Sequence, residues 1–201
     1  DGIYDIRNAL SYSKIQGNHL SGENFLHIGT TILALRRVRE FFLGKSAHAP
    51  LLSELCGGLH TNRLLERHIQ DAIDDLGNIR DNASPELRRI RRDIIDRSAA
   101  LRQRLQRILR KVSEDELVTE EYVTLREGRL VLPVKTEFKR KIPGIIHGES
   151  HSGGTVFLEP AEIFDMNNEI AELTFAERRE VERILQVLTE ELGQEADLFQ
   201  E

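Results

Sequence analysis

The chain has 201 residues, 39% hydrophobic and 31% charged, with 28 basic against 34 acidic side chains and a net charge of −6. Few aromatics and no tryptophan suit one or two domains built from helices that bury narrow stripes, rather than a thick globular core. No apolar run approaches the roughly 18 residues of a membrane span, no signal-peptide pattern is present, and Cys56 stands alone, which excludes an internal disulfide and a cysteine-based zinc site. No membrane partner is expected, and a reduced, cytoplasmic setting is.

The first twenty residues carry weak signals, with a short helix expected over Asp5 to Leu10. Ser21-Gly22-Glu23-Asn24 reads as a helix start, followed by Phe25, Ile28, Ile32, Leu35, Val38 and Phe42 at spacings that share one face, up to Gly44. Pro50 opens a short helix halted by Gly57-Gly58. Thr61 is a candidate cap for a third, with Leu64, Leu65, Ile69 and Ile73 facing inward. Asp75-Leu76-Gly77-Asn78 reads as a turn.

Ser84-Pro85-Glu86 is a strong helix start: an N-cap serine, proline in the first helical position and an acid in the first turn. Leu87, Ile90, Ile94, Leu101, Leu105, Ile108 and Val112 follow as a heptad-like stripe with a gap at Arg97-Ser98. A second long helix is expected from about Ala161, with Ile163, Ile170, Leu173, Val181, Ile184, Leu188 and Leu192 inward. The two differ in charge. Glu86 to Lys111 holds ten basic residues against three acidic ones, and Glu159 to Glu201 holds thirteen carboxylates against three arginines. Side-by-side helices that neutralise each other are one reading, and a basic stripe for nucleic acid is the other.

Between these helices lies a β element. Tyr122-Val123-Thr124-Leu125 and Leu130-Val131-Leu132-Pro133-Val134 flank a tight turn at Arg126-Glu127-Gly128-Arg129; Gly144-Ile145-Ile146-His147 and Thr155-Val156-Phe157-Leu158 flank a turn at Ser150 to Gly154. The predicted class is mainly α with a small antiparallel β subdomain: a helical core, two long antiparallel coiled-coil-like helices, and the sheet at their tip.

Gly153-Gly154-Thr155 lacks the lysine of a phosphate loop and leads into a strand. A hydrolase centred on Ser150 and His151 lacks an orienting acid and an oxyanion donor. His147 and His151 read as polar surface residues, and Glu159 as a salt-bridging or capping residue beside Pro160. Lys135, Lys139, Arg140 and Lys141 form a basic cluster. With Gly148, Gly153 and Gly154, whose backbone freedom leaves amides open to an anion, it reads equally as a phosphate contact or as a lysine-guarded sheet edge. Phe138 within it could stack on a base or cover the sheet's core.

Three blocks of this sequence resemble the bacterial MutS-two family, the MutS paralogues without a mismatch-recognition domain. They are Asp81-Asn82-Ala83-Ser84-Pro85-Glu86-Leu87 with Ile90-Arg91-Arg92; Leu125 to Arg129 with Leu132-Pro133-Val134-Lys135; and Pro143 to His147 with Ser150 to Thr155, Phe157 to Pro160 and Asn167-Asn168. Leu130 departs from a frequent aromatic and Gly154 from a common alanine.

The resemblance implies a helical core over residues 1–83, an outgoing lever helix over 84–118, a β clamp over 119–160 and a returning lever over 161–201. It further implies a longer, homodimeric protein with an ATPase using ATP and Mg, resembling that of ABC transporters and often followed by a nuclease domain. The activities implied are suppression of recombination and rescue of collided ribosomes, on duplex or branched DNA or on the ribosome and its RNA. With no phosphate loop, Walker-type acidic strand or nuclease tail, the chain is expected to be a non-catalytic fragment with no cofactor of its own, to which no catalytic residue transfers. The expected nucleic-acid contacts are Lys135, Lys139, Arg140 and Lys141, joined by Arg126, Arg129 and the amides of Gly153 and Gly154. The competing expectation is a structural coiled-coil arm that dimerises or docks on protein.

Overall fold

The computed structural model describes residues 2–120 and 122–199. Asp1, Glu121, Gln200 and Glu201, which fall in the first, third and last predicted segments, lie outside the described residues. The chain is mainly helical with one small antiparallel sheet, and it divides into two compact units. Residues up to Arg88 with those from Arg178 onward form the first, and Arg89–Glu177 form the second.

In the first unit α1 (Arg7–Ser13), α2 (Gly22–Leu43), α3 (Pro50–Gly57) and α4 (Arg63–Ala72) precede the start of α5 (Pro85–Glu114), and the end of α6 (Phe164–Glu195) returns to it. Ser21 starts α2 as expected. Its hydroxyl accepts from the Asn24 amide at 3.2 Å, and the Asn24 side chain accepts in return from the Ser21 amide at 3.3 Å. Gly44 does end α2, but in a right-handed conformation with φ −76°, so its freedom for positive φ is not used.

Two expectations for α4 are corrected. Its cap is Asn62, which accepts from both the Leu64 and Leu65 amides, whereas the Thr61 hydroxyl accepts from Arg39 Nη1. Leu64 is not inward but 58% exposed, because Leu65, Ile69 and Ile73 already fill the face at spacings of four and Leu64 lies one residue off it. Phe25, Ile28, Ile32, Leu65, Leu87 and Leu192 are fully buried in this core. At Gly193 α6 passes so close to α1 that a Cβ would meet the Ser13 carbonyl oxygen at 2.7 Å.

Ser84 caps α5, accepting from the Leu87 amide at 2.9 Å, while its own hydroxyl donates to Glu180 of α6 at 2.6 Å. Arg183 donates to the same carboxylate through two nitrogens.

The second unit holds the rest of α5 and α6 with strands β1 (Thr124–Arg126), β2 (Arg129–Lys135), β3 (Gly144–Glu149) and β4 (Thr155–Pro160), in the antiparallel order β1-β2-β4-β3. The β1–β2 hairpin turns on Glu127 (φ 49°) and Gly128 (φ 79°). Positive φ at both central residues is the turn whose twist matches the flanking strands. Leu132 and Val134 of β2 and Val156 and Leu158 of β4 alternate onto one face and bury against Leu101, Leu105, Ile108 and Val112 of α5.

Within this unit Arg91 pairs with Glu177, Arg97 with Glu169 and Arg104 with Glu162. Later partners on α5 meet earlier ones on α6, so these stretches run antiparallel. At the gap in the α5 stripe, Arg97 forms one of these pairs, and both side chains of the pair are half exposed.

Candidate nucleic-acid interface

Lys135 is the last residue of the β2–β4 ladder, opposite Thr155. The chain then closes onto the β3–β4 turn. The Thr136 amide donates to the Gly154 carbonyl at 3.1 Å, and its hydroxyl donates to the Gly153 carbonyl at 2.6 Å. A single 3-10 turn (Thr136–Phe138) leads to Lys139 and Arg140, and the Lys141 amide donates to the Phe138 carbonyl at 2.8 Å. The ammonium groups of Lys135 and Lys141 lie 5.9 and 4.6 Å from the Phe138 ring centroid, and Phe138 itself packs against the core of this unit. Of the two expected roles for that ring, covering the core is seen, with two cations over the ring.

Lys135, Lys139, Arg140 and Lys141 make no ion pair with any carboxylate among the described residues. Arg140 and Lys141 are exposed, Lys135 and Lys139 half-buried, and the acidic neighbour in the segment is the exposed Glu137.

The glycine turn is only partly open. Ser150 closes it, its amide donating to the Thr155 carbonyl and its hydroxyl accepting from the Thr155 amide. The Gly153 amide donates to the Ser150 carbonyl at 2.9 Å, so of the two amides expected to face a phosphate this one is already engaged. Gly153 has φ +71°, which explains glycine there. The turn leads into β4 rather than a helix and carries no lysine, unlike a phosphate loop. No group of metal-ligating side chains occurs among the described residues.

Arg126 and Arg129 lie elsewhere. They pair in register at the other end of β2, about 20 Å along the strand from Lys135. Arg126 is exposed with its guanidinium 3.9 Å over the Phe157 ring. Arg129 turns inward, donating to Glu159 at 2.8 Å and to the Asn168 side chain at 2.5 Å.

Arg129 belongs to a polar cluster that the sequence did not reveal. Glu159 is fully buried and accepts from Arg129, from Asn167 at 2.8 Å and, on its second oxygen, bonds His147 Nε2 at 2.6 Å. The expectation that Glu159 forms salt bridges holds. His147 is corrected: its side chain is 15% exposed and held by that carboxylate, because β3 lies beside β4 and turns the ring inward.

Asn167 adds a second role. Its side-chain amide bonds both the N–H and the C=O of Leu130, where the β2–β4 ladder runs out at Pro160, a residue without an N–H. The Asn167-Asn168 dipeptide was visible as a motif; its partners Leu130 and Arg129, 37 and 39 positions away, become neighbours only through the fold.

No family model matches the chain. Proteins named endonuclease MutS2 do. That of Pelotomaculum thermopropionicum is 40% identical over 195 residues, covering 97% of this chain and 25% of the relative. That of Brevibacillus brevis is 38% identical over 194 residues (96% and 25%), and that of Symbiobacterium thermophilum 38% over 196 (98% and 24%). The chain thus spans about a quarter of the length of the curated relatives it matches. With such identity sustained over nearly all its residues, helices and sheet alike, the chain belongs to the MutS2 family.

Proposed function

We propose that this segment binds the phosphate backbone of nucleic acid, as duplex DNA or as ribosomal RNA, and performs no chemistry itself. Lys135, Lys139, Arg140 and Lys141, with the Gly154 amide, are the contacts. The observation that carries the reading is their common position at one end of the sheet, with no ion pair to a carboxylate among the described residues. Unpaired cations around a glycine turn offer position without base specificity. In the longer, homodimeric protein α5 and α6 would act as levers and the sheet as a clamp. ATP hydrolysis with Mg, cleavage, suppression of recombination and ribosome rescue are assigned to the whole assembly.

Fluorescence anisotropy with a labelled DNA duplex and an rRNA hairpin, repeated from 50 to 200 mM salt, tests the reading. Binding should weaken steeply with salt, and K139Q/R140Q/K141Q should lower affinity for both probes and flatten the slope by roughly 0.9 for each DNA phosphate left without its cation. Binding that the triple variant leaves unchanged rejects the assignment. The antiparallel ion pairs of α5 with α6 favour the alternative of a structural arm. That alternative predicts no binding of either probe.

A further inference from the structure

The basic residues of α5 fall into two sets. Arg91, Arg97 and Arg104 face α6 and each meets a carboxylate. On the solvent side of the last turns, Arg102, Arg107, Arg110 and Lys111 are exposed and form no ion pair among the described residues. At 100° per residue Arg102, Arg107 and Arg110 flank the polar positions Gln103 and Gln106, so the outer face from 102 to 111 is cationic over about 13 Å. Glu114, four residues beyond Arg110 on the same face, and Asp115, four beyond Lys111, bound it at the C-terminal end; Asp96 precedes it by nearly two turns.

Helix energetics do not account for Arg102 and Arg107 on this face, although Arg110 and Lys111 have Glu114 and Asp115 four residues on. Exposed helices normally alternate charge at spacings of four, yet Arg107 has Gln103 and Lys111 at those positions, and Arg110 lies three away. Like charges so placed oppose helix formation. The helix dipole favours a cation in the last turn, which explains Lys111 but not Arg102 or Arg107. The three ion pairs with α6 lie on the other side of the helix.

We propose that this outer face of α5 is a second phosphate-backbone contact, which lies on the same unit as the Lys135–Lys141 cluster and engages the same duplex ligand. The inference rests on the nucleic-acid reading given above and extends it to a surface of its own. Charge complementarity names the occupant: a run of four cations without carboxylates fits a polyanion, and arginines suit the paired oxygens of phosphodiesters.

The test compares R102Q/R107Q/R110Q with K139Q/R140Q/K141Q in the 201-residue chain, using a labelled DNA duplex across a salt series. Circular dichroism is run on each protein, and R102K/R107K/R110K serves as the charge-preserving control. The α5 variant should keep its helicity, bind at least tenfold more weakly at 50 mM salt, and show a salt slope shallower by about 2.7, as three unneutralised phosphates require; the lysine variant should recover most of the affinity. If the α5 variant binds like the parent while the cluster variant is impaired, the second site is rejected and the first stands. If neither differs from the parent, both readings fail. If the lysine variant binds as weakly as the glutamine one, charge is not the cause and the proposal is overturned.

Discussion

Glu159 is the residue on which the sheet's internal order turns. It has no exposure and three partners, Arg129, His147 and Asn167, drawn from two other strands and from α6. Removing one member of a buried charge pair leaves the others uncompensated. Glu159→Ala should therefore cost roughly 3 kcal/mol in chemical denaturation; a loss below about 0.5 kcal/mol would mean that water replaces the carboxylate freely. Glu180 behaves differently. Hydrogen bonds from Arg183, and then from the Ser84 hydroxyl, lower its carboxyl from 4.5 to about 2 against the opposing effect of burial. A depressed carboxyl stabilises the fold in full above its unfolded value and loses that contribution as pH falls toward 2. Ser84→Ala removes one donor and the α5 cap together. It should raise the Glu180 midpoint in a carbon-detected NMR titration and cost about 1 kcal/mol at neutral pH. An unmoved midpoint would show that Ser84 does not hold the carboxylate.

At the scale of elements, local chemistry was legible and distant pairing was not. The starts of α2 and α5 and the Glu127-Gly128 turn were readable because each depends on residues within four positions. Leu64 was misplaced because an apolar residue one step off a stripe looks like part of it until the cap, Asn62 rather than Thr61, sets the phase. The basic cluster was legible as composition, but its gathering around Phe138 depends on the 3-10 turn that follows β2. The inward turn of Arg129 and His147 depends on register, which no local pattern specifies. Gly193 illustrates how packing inverts a propensity. Alanine normally stabilises a helix over glycine by about 1 kcal/mol, but here its Cβ would meet the Ser13 carbonyl oxygen at 2.7 Å. Gly193→Ala should lower the melting temperature by several degrees. A rise would show that α1 yields without cost.

For the whole molecule, family membership and physical chemistry bear on different questions. Identity of 38 to 40% to MutS2 proteins covers nearly all of the chain and a quarter of each relative, so it places the segment without saying which of its surfaces acts. Charge sorting addresses that. Cations facing α6 are matched, while those beyond Lys135 and on the outer turns of α5 meet no carboxylate among the described residues. The most direct measurement is an amide NMR map of the isotope-labelled chain as a short DNA duplex is added at low salt. The account predicts shifts concentrated at Thr136 to Lys141 and at Gly154 and Thr155, with a second set at residues 102 to 111 of α5. Shifts confined to the first unit, or none at duplex concentrations that saturate other backbone-binding proteins, would contradict it.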